Sequence, residues 1–378
     1  MNILLILQSK QISGISYYRQ LMPHAYLKTL YPDTVVDQIQ GADYDTVFHV
    51  GDEKLKEYQV AVLCREITHT GRGVEIIKRL QSLGIKVVLD IDDYWMLPSW
   101  HKLQRAYEHY RIPLFIVRNI EAADHITTTT QCLSDIISTY NDKVTVLPNC
   151  VDTFQPQFKR EEVPTDRMRF AWIGGTYHRE DIAPLERSFE KLWKDKALTG
   201  KWSLAIGGFN PNGEYKALER IFTCDYKYLD YDYAQYLKEF TPMLDHYSNG
   251  KPYRRMWAKD AFNYIKMYNE IDVALVPLRD NLFNRCKSEL KIVEAAAMGK
   301  AVIVSDTSPY NLICNSNNSI IVPNNAPHRL WYEAIKWCIK HPNDVKEMAE
   351  NLTNDCNSKF NTNNITNERK ELYTWLTK

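Results

Sequence analysis

No apolar run in this chain of 378 residues approaches the roughly 20 residues that a membrane-spanning helix needs. The opening run at residues 3–7 is too short and lacks a basic flank, so it reads as a strand and not a signal peptide. Net charge is missing as well: 47 Lys and Arg balance 47 Asp and Glu. No global field therefore draws the chain to nucleic acid or anionic lipid, although a local patch remains open. The eight cysteines are scattered and form no C-x-x-C pair, which argues against zinc ribbons and thioredoxin chemistry. A disulfide scaffold is a poor reading at this length, and reduced thiols are expected. What is present is apolar material, 44% of the residues, enough for packed cores.

The pattern alternates strand and helix. Short apolar strand candidates at 3–7, 59–63, 87–91, 125–128 and 144–147 are separated by helix-period stretches such as 73–83 and 131–140. That alternation implies a parallel sheet covered on both faces. A stretch rich in Pro, Gln and charge interrupts it and reads as a linker. Strand candidates then resume at 168–173, 202–206, 271–276, 301–305 and 319–322, with a helix at 181–193. The expected organisation is a first α/β domain over 1–152, a linker over 153–166 and a second α/β domain over 167–361. The second carries an insertion over 210–257, dense in Tyr and Phe, and a terminal helix covers 362–378. Such a long interruption of a fold is usually functional, and its aromatic density argues against disorder.

The richest segment is a βαβ unit over 271–306, with a helix expected over 286–298 and Gly299 at its C-cap. At about 100° per residue, Lys287, Lys291 and Glu294 share one stripe, while Leu290, Val293 and Ala297 share the face that packs on the sheet. A helix start at the carboxyl end of a parallel strand is a natural diphosphate site. There Lys287 and Lys291 would add positive charge, and Glu294 would accept hydrogen bonds from ribose hydroxyls. On spacing alone, solvated lysines with an i,i+3 partner are the favoured explanation of the pattern.

The surrounding residues carry more information. The stretch Asn281-Leu282-Phe283-Asn284-Arg285-Cys286-Lys287-Ser288-Glu289-Leu290-Lys291-Ile292-Val293-Glu294-Ala295, followed by Gly299-Lys300-Ala301-Val302-Ile303-Val304-Ser305, resembles nucleotide-sugar-dependent glycosyltransferases of the GT-B fold. The resemblance is to the family 4-like group, in a divergent bacterial or phage-type form. Glu294 matches the second glutamate of that family's motif, while Cys286 stands where the family has its first. The match continues in order along the chain. Ala123-Asp124-His125-Ile126-Thr127-Thr128-Thr129-Thr130 and Val146-Leu147-Pro148-Asn149-Cys150-Val151-Asp152 resemble the family's first domain. Phe170-Ala171-Trp172-Ile173-Gly174-Gly175-Thr176-Tyr177-His178 resembles the first strand and Gly-rich loop of its second.

The resemblance implies an α/β fold of two Rossmann-like domains facing across a cleft, with a C-terminal helix returning to the first. It implies a retaining, hexosyltransferase-like enzyme of the bacterial, or infected bacterial, cytoplasm. The donor would be a UDP- or GDP-sugar, with no metal or other cofactor required. The acceptor would be a hydroxyl on a glycan or a lipid-linked sugar. The donor residues are expected to be Gly14, Gly174, Gly175, His178, Arg179, Arg285, Lys287, Ser288, Leu290, Lys291 and Glu294.

Further candidates come from the ends of strands. Asp90-Ile91-Asp92-Asp93 ends a buried strand, where carboxylates face the ligand crevice of a parallel sheet. Asp92, Asp93 and the neighbouring His101 are therefore the candidate catalytic residues, against a helix-capping cluster or a D-x-D metal site. Tyr17 and Arg19, in the loop after the first strand, and Arg254 and Arg255, in the aromatic insertion, are the candidate acceptor residues. Two rivals follow. One is transfer onto a hydroxymethylated DNA base, which charge neutrality disfavours. The other is a non-catalytic sugar-nucleotide or glycan binder on the same scaffold, suggested by Cys286.

Overall fold

The computed structural model describes residues 1–68, 70–210, 213–224 and 253–378. The chain divides into two compact units. The first comprises Met1–Asp152, Asn281–Val293 and Asn357–Lys378, and the second Thr153–Asp280 and Glu294–Cys356.

The first unit is built on six parallel strands: β1 (Asn2–Leu7), β2 (Val35–Gln40), β3 (Val60–Cys64), β4 (Lys86–Ile91), β5 (His125–Thr128) and β6 (Val144–Val146). They lie in the order β2-β1-β3-β4-β5-β6. Alternation within each strand serves the two faces. Leu4 and Ile6 of β1 join a core with Ile76, Ile77 and Leu80 of the helix Gly73–Ser82. Ile3, Leu5 and Leu7 join another with Leu372, Tyr373 and Leu376 of the helix Thr362–Leu376. The C-terminal helix thus covers the first sheet, as the tyrosine hydroxyl of Tyr373 meets His24 Nε2 at 2.9 Å. Strand β2 escaped the sequence reading because it is a half-exposed edge strand, Val-Val-Asp-Gln-Ile-Gln, with no continuous apolar run.

The second unit holds β7 (Met168–Ile173), β8 (Trp202–Phe209), β9 (Tyr253–Trp257), β10 (Val273–Val276), β11 (Ala301–Ser305) and β12 (Ile320–Val322). Their order is β12-β11-β10-β7-β8-β9, again all parallel. Helices Glu186–Lys194 and His328–Lys340 feed its core through Phe189, Leu192, Trp331 and Ile335. The helix read at 181–193 is broken, because Pro184 sits in a 3-10 turn, Ala183–Leu185, between two shorter helices. The expected insertion is partly fold. Its start contains the helix Gly213–Thr223 and its end is the edge strand β9. Residues 225–252 lie outside the described residues. Among the described residues no helix is long and apolar enough to cross a membrane.

The helix expected over 286–298 also differs. A one-turn helix, Leu282–Arg285, is capped by Asn281, whose Oδ1 accepts from Asn284 N at 3.0 Å. The main helix begins only at Leu290 and runs to Ala297. The cause of the break is tertiary. Cys286 is buried in the first unit's core, and Ser288 Oγ accepts a 2.8 Å hydrogen bond from Asn149 Nδ2. The Glu289 carbonyl then opens the helix by accepting from Ile292 and Val293. Lys287 is consequently off the helix, and the stripe drawn through Lys287, Lys291 and Glu294 does not exist as drawn. At the far end Gly299 takes a positive φ of 67°, and Arg160 donates to the carbonyls of Ala296 and Ala297.

Candidate functional site

Open parallel sheets bind ligands beyond the carboxyl ends of their strands, where the strand order reverses. In the second unit that point lies between β7 and β10. The loop after β7 carries Gly174 and Gly175, then the short helix Arg179–Ile182. Asp181 is buried and ties this loop to the one after β10. One carboxylate oxygen accepts from the backbone N–H of Arg279 at 3.1 Å, and the other lies 2.9 Å from His178 Nδ1. Asp181 thus acts as a cross-loop tie from inside a helical turn. The Gly174 carbonyl accepts from Tyr215 OH at 2.5 Å. Gly208 makes that approach feasible: at φ +88° an added Cβ would stand 2.9 Å from the Gly174 oxygen. The β10 loop is held further by Ser305 Oγ, which accepts from Leu278 N at 2.9 Å.

Glu294 is buried in this unit. Its two carboxylate oxygens accept from the hydroxyls of Tyr264 and Tyr268, the latter at 3.2 Å. Burial and that carboxylate hold the Tyr268 phenol well above its ordinary range. Sequence reasoning found Glu294 but missed its tyrosines, which lie on a 3-10 segment, Tyr264–Glu270, without a strong periodic signal.

In the first unit the sheet reverses between β1 and β3. Arg19, expected at the acceptor, is buried beyond β1 and braces two strand ends, those of β4 and β6. It holds Asp90 through two bonds, Nε to Oδ2 at 2.8 Å and Nη2 to Oδ1 at 2.7 Å. Its Nη1 reaches the Leu147 carbonyl at 2.8 Å and Asn149 Oδ1 at 3.1 Å. This corrects the expectation for Arg19, since a guanidinium so committed is a brace. The wide helical turn Ser16–Leu21 that aims it inward precedes Pro23, which has no N–H to continue a regular helix backwards. The Thr run after β5 closes the same edge. Thr127 donates to Asp90, Thr128 to the Ile91 carbonyl, Thr129 to the Asp92 carbonyl, and Thr130 caps the helix Gln131–Ile137.

Asp92 and Asp93 stand just beyond that closed network. Arg65, at the carboxyl end of β3, donates to the Asp93 carbonyl at 3.2 Å and approaches Asp92 Oδ1 to 3.7 Å. Asp92 Oδ1 accepts no hydrogen bond. Burial, then the nearby carboxylates of Asp93 and Asp90, push the Asp92 acid up to about 6 against the pull of Arg65. Glu66 follows Arg65 and receives the hydroxyl of Tyr107. The strand-end rule that found Asp92 would also have found Arg65 and Glu66, had it been applied to β3.

His101 lies against Phe283, with ring centroids 5.7 Å apart, and the Lys287 ammonium sits 4.6 Å from the same ring. Burial, and then Lys287, lower the imidazole below its ordinary range. The first unit thus brings His101, Phe283 and Lys287 together. Gly14 and Gly175 are exposed, Arg179 and Arg285 present exposed side chains, and Gly174, Leu290 and Lys291 are half-buried. Tyr17 is buried, edge-on to Tyr18. Arg254 and Arg255, expected at the acceptor, lie on β9. There Arg254 pairs with Glu270, and Arg255 clasps Glu219 through Nε at 2.5 Å and Nη2 at 2.8 Å. Both charges are spent inside the second unit, which revises their expected role.

Comparison with known proteins completes this description. Residues 257–341 match the family model described as glycosyl transferases group 1. No curated protein sequence matches. Among solved structures, sucrose-phosphate synthase from Thermosynechococcus elongatus is 13% identical, with a TM-score of 0.65 over 100% of this chain and 99% of that one. A glycosyltransferase from Rickettsia africae is 12% identical, with a TM-score of 0.65 over 100% and 98% of the two chains. Anabaena HepE, in complex with UDP-glucose, is 12% identical, with a TM-score of 0.65 over 99% of each. The chain has the GT-B glycosyltransferase fold. The GT-B likeness runs through both sheets, whereas the family match is confined to residues 257–341, which hold β10–β12 and the segment carrying Arg279, Lys287 and Glu294.

Proposed function

We propose that the protein transfers a sugar from a nucleoside-diphosphate sugar, a UDP- or GDP-hexose, to an acceptor hydroxyl on a glycan or lipid-linked sugar, with retention and without a metal. The observation that carries this reading is the coincidence of a whole-chain GT-B fold with a glycosyltransferase family match over the residues bearing Lys287 and Glu294. Anabaena HepE, of the same fold, holds UDP-glucose in its structure.

In this reading Glu294 accepts from the donor ribose hydroxyls. The Gly174 and Gly175 loop presents backbone N–H groups, and His178 contacts the donor. Lys287, with Arg285, Ser288 and Lys291, neutralises the diphosphate. Fixed cations and N–H groups aimed at the leaving diphosphate stabilise its developing charge without reorganisation, which removes the need for a metal. Asp92 and Asp93, with His101, position the acceptor hydroxyl. A carboxyl poised near 6 is suited to exchanging a proton at neutral pH.

The test is a thermal-shift and hydrolysis screen of the full chain with UDP-, GDP-, ADP- and TDP-sugars. The matching donor at a hundred times its Kd stabilises the fold by about 2.7 kcal/mol and is slowly hydrolysed. A screen in which no nucleotide sugar raises the Tm and none is consumed refutes the reading. Lys287→Ala should weaken binding of the nucleoside diphosphate more than that of the bare nucleoside.

A further inference from the structure

Cys132 and Cys286 are far apart in sequence, yet in the first unit their sulfur atoms lie 3.5 Å from each other. Cys132 is half-buried and follows the Thr130 cap of the helix Gln131–Ile137. Cys286 is buried and immediately precedes Lys287 and Ser288. The two segments are also joined by the Thr130 hydroxyl, 3.5 Å from the Cys286 carbonyl. Two thiols side by side could be mere packing, since cysteine serves as a small apolar side chain. Three features distinguish this pair: Cys132 is only half-buried, Cys286 is its immediate neighbour, and Cys286 is bonded in sequence to a lysine assigned to the donor.

We propose that Cys132 and Cys286 are a thiol–disulfide modification site, closed by a low-molecular-mass disulfide such as oxidised glutathione, whose closure displaces Lys287. The Cys132 thiolate attacks one sulfur of the small disulfide, forming a mixed disulfide and releasing one thiol. The Cys286 thiolate then attacks the Cys132 sulfur, the protein S–S bond forms, and the second small thiol leaves. Two cysteines lose two electrons and two protons, and one small disulfide becomes two thiols. Burial, then Cys132, hold the Cys286 thiol well above its ordinary range, so the second step is the slow one.

A disulfide holds its sulfurs about 2.0 Å apart, so closure draws the two sulfur atoms together by about 1.5 Å and pulls on the segments that carry them. Cys286 is enclosed in the core and the following Ser288 is tethered to Asn149. The movement therefore falls on the non-helical link between Arg285 and Leu290, where Lys287 sits. The bond itself is independent of the proposed function; its effect on donor binding rests on that reading.

The experiment incubates the full-length protein with oxidised glutathione and follows it by intact mass and non-reducing peptide mapping. Expected is the loss of two hydrogens and a linked pair of peptides containing Cys132 and Cys286, reversed by dithiothreitol. Cys132→Ser abolishes the link, and Cys286→Ser leaves glutathione trapped on Cys132. A wild-type protein that keeps both thiols, or stops at the glutathione adduct, overturns the site. UDP affinity is then measured on reduced and oxidised protein, with about tenfold weaker binding expected on oxidation and no change for Cys132→Ser. A linked protein with unaltered UDP affinity overturns the switch and leaves the bond. Reduced protein that binds no nucleotide overturns the donor reading and the switch together, while the mass data still decide the bond.

Discussion

The carboxyl edges of the two sheets hold their buried carboxylates by different means. At the edge of the first, Asp90 is clasped by the Arg19 guanidinium and the Thr127 hydroxyl. At the edge of the second, Glu294 receives two tyrosine hydroxyls, and Asp181 receives a backbone N–H and an imidazole nitrogen. A carboxylate locked to a buried cation cannot be released without leaving one charge uncompensated in a dry interior. A carboxylate that holds hydroxyls can exchange them for those of a ribose at little net cost, because one O–H donor replaces another. The first arrangement builds a scaffold. The second leaves its carboxylates held by hydroxyl and N–H donors that a ligand's own donors could replace.

The largest expected effect tests the scaffold. Arg19→Ala strands Asp90 and should cost about 3–5 kcal/mol of stability, read from urea unfolding. A loss below about 1 kcal/mol would place Arg19 with the exposed pairs and remove the contrast. Next comes Glu294→Ala. It removes charge-assisted hydrogen bonds worth about 1.5–3 kcal/mol, so nucleotide affinity should fall by about ten- to a hundredfold, measured by calorimetry on the folded variant. If stability collapses while affinity per folded molecule is retained, Glu294 belongs to the scaffold after all.

The sequence made the sheets legible because buried parallel strands are nearly continuous apolar runs; β1, β3, β4, β10 and β11 could hardly be missed. Edge strands carry a diluted signal, which hid β2 and placed β9 inside an insertion. At the site, position was more legible than role. Asp92, His178 and Glu294 were singled out because strand ends and a family motif mark them. Arg19 looked like a ligand residue because no spacing announces a partner 71 residues away. The broken helix at 286–289 was equally hidden, since tertiary pinning of Cys286 and Ser288 overrides a helical pattern.

Asp92 sharpens the comparison from within the first unit. It lies two residues from Asp90 yet lacks Asp90's guanidinium clasp, and its acid rises from 3.8 to about 6. Because the folded form binds the proton more tightly than the unfolded chain, Asp92 costs stability progressively as pH rises from 3.8 through 6. Asp92→Asn removes that cost, so the variant should gain on the wild type by about 1–2 kcal/mol across this interval, with some discount for solvent access. Thermal unfolding at both ends of the window measures it. A gap between variant and wild type that does not change with pH would mean that the Arg65 charge already neutralises Asp92.

The smallest effect at acid pH is expected at Glu289, a buried carboxyl in the first unit whose Oε2 accepts no hydrogen bond. Burial raises its acid from 4.5 to about 7, with Lys359 pulling weakly the other way. Below pH 4.5 the side chain is neutral in both folded and unfolded states, so Glu289→Gln should change stability by less than about 1 kcal/mol. The sign then works against the wild type. Its folded form keeps the proton up to about 7, so stability drains away as pH climbs from 4.5 through 7, while the amide is indifferent. The variant should therefore overtake the wild type between pH 4.5 and 7 in the same unfolding assay, and hold its full lead above that window. A glutamine that instead destabilises strongly at acid pH would show that the protonated carboxyl donates a hydrogen bond the amide cannot copy. Glu289 would then join Asp90 among the structural braces, one residue before the helix that carries Glu294.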